Sequence, residues 1–248
     1  MLIRRTLLSL TLALFATPLA AQVAAPAAPA PEPVASSNPH VVITTPKGTI
    51  TLELFVDKAP VTARNYLKYV DRKLYDGATF YRASKPSGQV NNDYGTVQGG
   101  LQNDPKKVLP PIAHEPTSKT GLRHISGTIS MGRHDPGTAQ ADWFICIGDM
   151  PYLNADAKQP GFAAFGRVVD GMDVAKAILG EPVNPNAGVG AMKGEMLLKP
   201  IRITSVRRTT WNRPEPPAAP PPATAARALP TITLDLPPAP ATAPATPQ

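Results

Sequence analysis

The residues of this chain best suited to metal or covalent chemistry are four histidines and one cysteine, and their spacing argues against both uses. His40, His114, His124 and His134 fall at no ligand spacing. His114-Glu115 opens like the His-Glu-x-x-His helix of zinc proteases, but Ser118 stands where the second histidine must be. Arg133-His134-Asp135 sets a base beside a carboxylate, yet no serine in a Gly-x-Ser-x-Gly turn accompanies them. Cys146 lies within the apolar run Trp143–Ile147, which predicts a buried, inert thiol. A single cysteine also excludes a disulfide framework, a Cys-rich zinc site and a lipoprotein anchor. No metal and no cofactor are expected. What remains is chemistry by position and charge. On spacing alone, Arg82 reads as a surface arginine, Gln98 as a strand-end residue, and Phe144 and Phe162 as core.

The elements that must carry these residues occupy the middle of the chain. Of 31 prolines in 248 residues, five fall in residues 22–39, twelve in 214–248 and thirteen in 40–213. This predicts one globular domain over 40–213, between a Pro/Ala linker and a Pro/Ala tail. The tail has only three charges and too few core-forming side chains to offset chain entropy, so it is expected to be disordered. Its one alternating run, Thr231–Leu236, is either a chance apolar patch or a strand that pairs with a sheet edge. The net charge of +7 is spread without a basic run, which argues for solubility and against a nucleic-acid partner.

Residues 1–21 read as a secretory signal peptide. Arg4-Arg5 is the basic start, residues 7–15 are apolar, and Ala20-Ala21 supplies small residues for cleavage before Gln22. Nothing after them approaches the length of a membrane span. The mature protein is therefore expected outside the cytoplasm, most simply in a periplasm, and as a monomer.

Within the domain, His40–Thr45 and Thr49–Phe55 predict a hairpin around Pro46-Lys47-Gly48. Thr49, Thr51 and Glu53 should form its wet face, and Ile50, Leu52 and Leu54 its core face. A helix is predicted from Pro60, with Ala63, Tyr66, Leu67, Val70 and Leu74 on one side, closing at Gly77. Further strands are predicted at 79–83, 96–98, 128–131, 142–147, 163–169 and 197–206, and a second helix at 173–179. Many short strands with two helices predict a mostly β fold, a closed antiparallel barrel.

The order of segments resembles the cyclophilin family of peptidyl-prolyl cis-trans isomerases, nearest to its exported bacterial members. It is carried over roughly residues 39–207 by Ala59–Tyr66, Thr79–Arg82, Val97–Gly100, Gly127–Met131, Trp143–Ile145, Tyr152-Leu153 and Ala164–Met172, in that order. The resemblance implies an eight-stranded closed barrel capped by two helices, with the site on an outer face. It implies that Arg82 is catalytic and that Gln98 helps hold the substrate backbone. Phe144, Leu153 and Phe162 would wall a proline pocket, with Met131 just behind, and Gly132 and Arg133 would form the backbone stretch that pairs with substrate. Proline-containing segments of unfolded or exported proteins are the implied partners.

The implied chemistry needs neither nucleophile nor metal. An X–Pro bond turns over a barrier of roughly 18–20 kcal/mol because its amide has partial double-bond character, and no bond is broken. A fixed cation that donates to the amide as resonance is lost lowers that barrier, and the planar, permanently charged guanidinium suits the task. The sequence departs from the family in four places. Tyr81 replaces a histidine, Asp142 a glutamine, and Tyr152 a tryptophan or phenylalanine. The segment Ala83–Val97 is longer and brings Gly95-Thr96 to the positions of a pocket aromatic and a methionine, which thins the wall unless Val90 or Tyr94 folds back. A thinned pocket leaves open a second reading, a Pro-peptide binding module or chaperone with little isomerase activity.

Overall fold

The structure is a computed structural model that describes residues 38–211. The expected signal peptide, most of the 22–39 linker and the 214–248 tail with its 231–236 run lie outside the described residues. β1 (His40–Thr45) and β2 (Gly48–Leu54) form the expected hairpin, paired from His40↔Glu53 to Thr45↔Gly48. Val41, Ile43, Ile50, Leu52 and Leu54 are fully buried. The wet face is narrower than predicted: Thr49 is exposed, but Thr51 and Glu53 are buried. β2 is an inner strand, and Arg167 on its neighbour reaches over to Glu53 at 2.7 Å.

α1 (Pro60–Asp71) buries Ala63, Tyr66, Leu67 and Val70, as the periodicity requires. It stops short of Gly77 because Lys73 takes a positive φ of 56°, which no helix continues through. β3 (Thr79–Ser84), β4 (Gly95–Gly100), the single turn α2 (Thr117–Thr120), β5 (Thr128–Met131), β6 (Trp143–Ile147), β7 (Ala164–Asp170) and α3 (Met172–Leu179) follow. The short β8 (Val183–Asn184), β9 (Met196–Arg202) and β10 (Ser205–Thr209) end the described chain. All strand pairs are antiparallel, in the order β10-β1-β2-β7-β5-β6-β4-β3-β9-β8.

The expected closed eight-stranded barrel is thus a ten-stranded sheet, with three α-helices in place of two. Two facts account for the difference. β8 is a two-residue appendage on β9. The last predicted strand is split: β9 pairs with β3, then the chain bends at Ile203-Thr204 and β10 pairs with β1. Among the described residues no ladder joins β10 to β8. The chain itself spans the ends of the order, with the Ile203 N–H donating to Ala78 O (2.7 Å) and the Thr204 N–H to Thr44 O (2.8 Å). Inside lies one core in which fully buried Trp143 meets Phe80, Tyr66 and Tyr75 edge-on at centroid distances of 5.2, 6.1 and 6.4 Å.

Candidate active site

A bulge in β3 puts Arg82 on the outer face. Phe80 pairs with Gly99 and points into the core, whereas Arg82 pairs with Gln98, leaving Tyr81 as the extra residue. One added residue changes the face that later side chains take. Gln98 is opposite Phe144 on β6, and Phe144 is opposite Ser130 on β5. Directly opposed residues share a face at about 5 Å between Cβ atoms. One row across four strands therefore holds Arg82, Gln98, Phe144 and Ser130.

The Arg82 guanidinium is held along most of its rim. Nη1 donates to Gln98 Oε1 at 2.8 Å, Nε and Nη2 both donate to Glu195 Oε2 at 2.8 and 2.5 Å, and Nη2 also reaches Ala191 O at 3.2 Å. Ser84 Oγ donates to the other carboxylate oxygen of Glu195 at 2.6 Å. Gly132 lies beside Gln98. A Cβ there would come within 3.2 Å of Gln98 Nε2, so a larger residue would press on the amide. The Gly132 N–H is already given to Asp142 O at 2.8 Å.

Next to this polar group is a small apolar cluster, separate from the main core. Phe144, Cys146 and Met150 are buried in it, and Tyr94, Leu153 and Phe162 pack against them half-buried. Phe144 and Phe162 meet edge to face at 5.4 Å, and the Phe162 N–H donates to Leu153 O at 3.0 Å. The Arg133 guanidinium sits over the Phe162 ring, 4.9 Å from its centroid, and donates to the carbonyls of Gly161 and His134. Burial pushes the Cys146 thiol up to about 12, which keeps it unreactive.

Buried His124 lies nearly parallel to the Phe144 ring, with centroids 6.1 Å apart. Asn154 Oδ1 accepts from the His124 backbone N–H (2.9 Å) and contacts Nδ1 (2.8 Å). An oxygen that already accepts requires the proton on Nδ1, so Nε2 accepts from Ser130 Oγ, 2.9 Å away. This side chain ties β5 to the segment that carries Leu153.

The structure thus gathers Arg82, Gln98 and Gly132 in one group and Phe144, Leu153, Phe162 and Arg133 in the next. Met131 is not among them. It is 1% exposed and faces the main core with Ile129, because neighbours on a strand alternate and Ser130 has taken the outward place. Tyr94 folds back against Phe144, Cys146 and Met150, while Val90 stays 93% exposed. Gly95 cannot hold an aromatic: its φ is +152°, and a Cβ would lie 2.4 Å from Ser84 O. Asp142 is turned to the 101–103 turn, accepting from the Gln102 and Asn103 N–H groups at 2.8 and 3.1 Å. Burial raises its carboxyl pKa, with these bonds pulling the other way. Among the described site neighbours, Glu195 had no signal in the sequence, since it stands 113 positions from Arg82.

Comparison with known proteins agrees with this architecture. Residues 40–208 match the family described as cyclophilin type peptidyl-prolyl cis-trans isomerase/CLD. The chain is 37% identical over 147 residues to peptidyl-prolyl cis-trans isomerase A of Dickeya dadantii, covering 58% of this chain and 73% of that one. It is 38% identical over 173 residues to a peptidyl-prolyl cis-trans isomerase of Streptomyces antibioticus, covering 67% and 96%. A crystal structure of a Cryptosporidium parvum cyclophilin type isomerase superposes with a TM-score of 0.57 at 20% identity, covering 71% of this chain and 99% of that one. The same protein, solved in the presence of the dipeptide Ala-Pro, superposes with a TM-score of 0.55. The chain belongs to the cyclophilin type peptidyl-prolyl cis-trans isomerases.

Proposed function

We propose that this chain isomerises X–Pro bonds in exported proteins and that Arg82 is the residue that steadies the twisted amide. The observation that carries the reading is the shared row of Arg82, Gln98 and Phe144, which sets an oriented guanidinium beside an apolar cluster. The proline ring rests against Phe144, Leu153 and Phe162. The peptide beyond the ring rotates, and as resonance is lost the prolyl nitrogen gains a lone pair. The second Nη1 hydrogen of Arg82, without a partner among the described residues, donates to that lone pair. Gln98 Nε2 holds a backbone carbonyl of the substrate. The cation acts only when the amide twists, so its effect falls on the transition state.

Export rests on the sequence: the basic Arg4-Arg5, the apolar 7–15 run and the small residues before Gln22. Substrates are then unfolded or loop segments of proteins in the same compartment, most simply a periplasm. No helix among the described residues is long and apolar enough to cross a membrane.

A protease-coupled assay on a short Ala-Pro peptide tests the mechanism. Arg82→Ala should lose roughly a hundredfold in kcat/KM, the loss typical of removing one such donor, with melting unchanged. An alanine variant as active as the native protein overturns it. Expression in a Gram-negative host tests export: the protein recovered from the periplasm should begin at Gln22, and an uncleaved chain kept in the cytoplasm overturns that part.

A further inference from the structure

We infer that Glu195 is a positioning residue for the isomerase reaction, one that locks the Arg82 guanidinium by one edge and leaves Nη1 for the substrate. The inference rests on the reading of Arg82 as the catalytic cation. Nε and Nη2 form one edge of the guanidinium fork, and a single oxygen of Glu195 takes a bond from each, at 2.8 and 2.5 Å. Ala191 O takes a further Nη2 hydrogen at 3.2 Å, and Gln98 takes one from Nη1 at 2.8 Å. A guanidinium has five N–H donors. Four are thereby committed, and the fifth is on Nη1, the nitrogen next to Gln98.

Glu195 is itself fixed. Ser84 Oγ donates to its Oε1 at 2.6 Å, its N–H donates to Met192 O at 3.1 Å, and its own carbonyl accepts from the Ala83 N–H at 3.0 Å. The last bond joins it to the residue after Arg82, so carboxylate and guanidinium are set on one backbone frame. An arginine on a sheet face otherwise samples many rotamers, and a misplaced donor gives up most of its effect on the rate. Both side chains of the pair keep about a fifth to a quarter of their surface exposed, 21% for Arg82 and 25% for Glu195. The pair is part-buried, so melting is read beside kcat, to separate a change of orientation from a loss of fold.

The contact also damps the charge of Arg82, and two variants separate position from charge. In Glu195→Gln one carbonyl oxygen can still accept both guanidinium bonds while the amide donates to Ser84 Oγ. Geometry is kept and the negative charge is lost. In Glu195→Ala both go. Each variant is assayed on the Ala-Pro peptide beside Arg82→Ala, with melting recorded. Glu195→Ala should lower kcat roughly tenfold to a hundredfold, the scale of a misplaced group, with KM within about twofold and Tm close to native. Glu195→Gln should stay within about twofold of native in both constants. An alanine variant with native kcat, or a glutamine variant as impaired as the alanine one, overturns the positioning role while an inactive Arg82→Ala leaves the catalytic reading standing. An active Arg82→Ala overturns both.

Discussion

Arg82 and Gln98 stand opposite each other on β3 and β4, and Nη1 of the arginine donates to Oε1 of the glutamine at 2.8 Å. That bond settles which way the glutamine amide is used. Its oxygen end faces the guanidinium, so the donor end, Nε2, is turned toward Gly132. Gln98→Ala should therefore lower kcat/KM by about tenfold, equivalent to about 1.4 kcal/mol. Gln98→Glu keeps an acceptor for Arg82 and loses the donor, so it should be impaired as much as the alanine variant. A glutamate variant with native activity in the peptide assay would show that the donor is not used.

Tyr94 supplies the wall that Gly95 cannot. It packs with Phe144, Cys146 and Met150, and a Cβ on Gly148 would lie 2.5 Å from its ring. On the proposed reading Tyr94 backs the surface that takes the proline ring, and such contacts persist through the rotation, so losing one weakens ground state and transition state alike. Tyr94→Ala should raise KM several-fold with kcat nearly unchanged, and Tyr94→Phe should behave as native. Val90→Ala, on the exposed part of the same segment, should change neither constant. A Tyr94→Ala variant that loses kcat at constant KM would contradict this account of the pocket.

How much of this was legible beforehand follows from the range of each interaction. Strands and helices came from local periodicity. The hairpin 40–55, the helix from Pro60 and the face of Ala63, Tyr66, Leu67 and Val70 all stand as read. Boundaries failed where geometry is decided elsewhere: α1 ends at a positive φ on Lys73, and the last strand is broken by a bend between two partners. Glu53 reads as part of a wet face in the sequence because its cover, Arg167, lies 114 residues away. The candidate site is proposed through a family pattern, which names positions and not contacts. Met131 fits the pattern yet lies in the core, while Glu195 grips Arg82 with no pattern to announce it.

His124 makes the surroundings of Phe144 sensitive to acid. Burial holds its imidazole pKa below the usual value, and the bond to Asn154 only partly offsets this. Between an ordinary histidine pKa of about 6.5 and the lower value in the fold, the unfolded chain binds a proton that the folded chain does not. Stability is therefore full above that range and falls as the pH drops through it, levelling once His124 is protonated in both states. Protonation also makes Nε2 a donor, so the Ser130 hydroxyl could no longer donate to it. The Tm of the native protein should fall between pH 8 and 5 more steeply than that of His124→Gln. Parallel curves would remove His124 from the account.

The start of α1 depends on a residue remote in sequence. Ala59 occupies the N-cap and offers no side-chain acceptor, and the first turn contains no acidic residue. Glu115 supplies both. Its carboxylate accepts from the Val61 N–H at 3.1 Å and from the Thr62 N–H and Oγ at 2.8 and 2.7 Å. Two orphan donors and the positive end of the helix dipole are thereby met by one side chain. Replacing a cap by alanine costs about 0.5–2 kcal/mol, so Glu115→Ala should lower unfolding stability by about 1–2 kcal/mol in a denaturant titration. Glu115→Gln can still offer its oxygen and loses the charge, so it should fall between native and alanine, and high salt should narrow the gap between native and glutamine. Glu115 takes no part in the Arg82–Phe144 row, so kcat/KM at 25 °C should be unchanged in both variants. An alanine variant as stable as the native chain would mean that water caps the helix equally well.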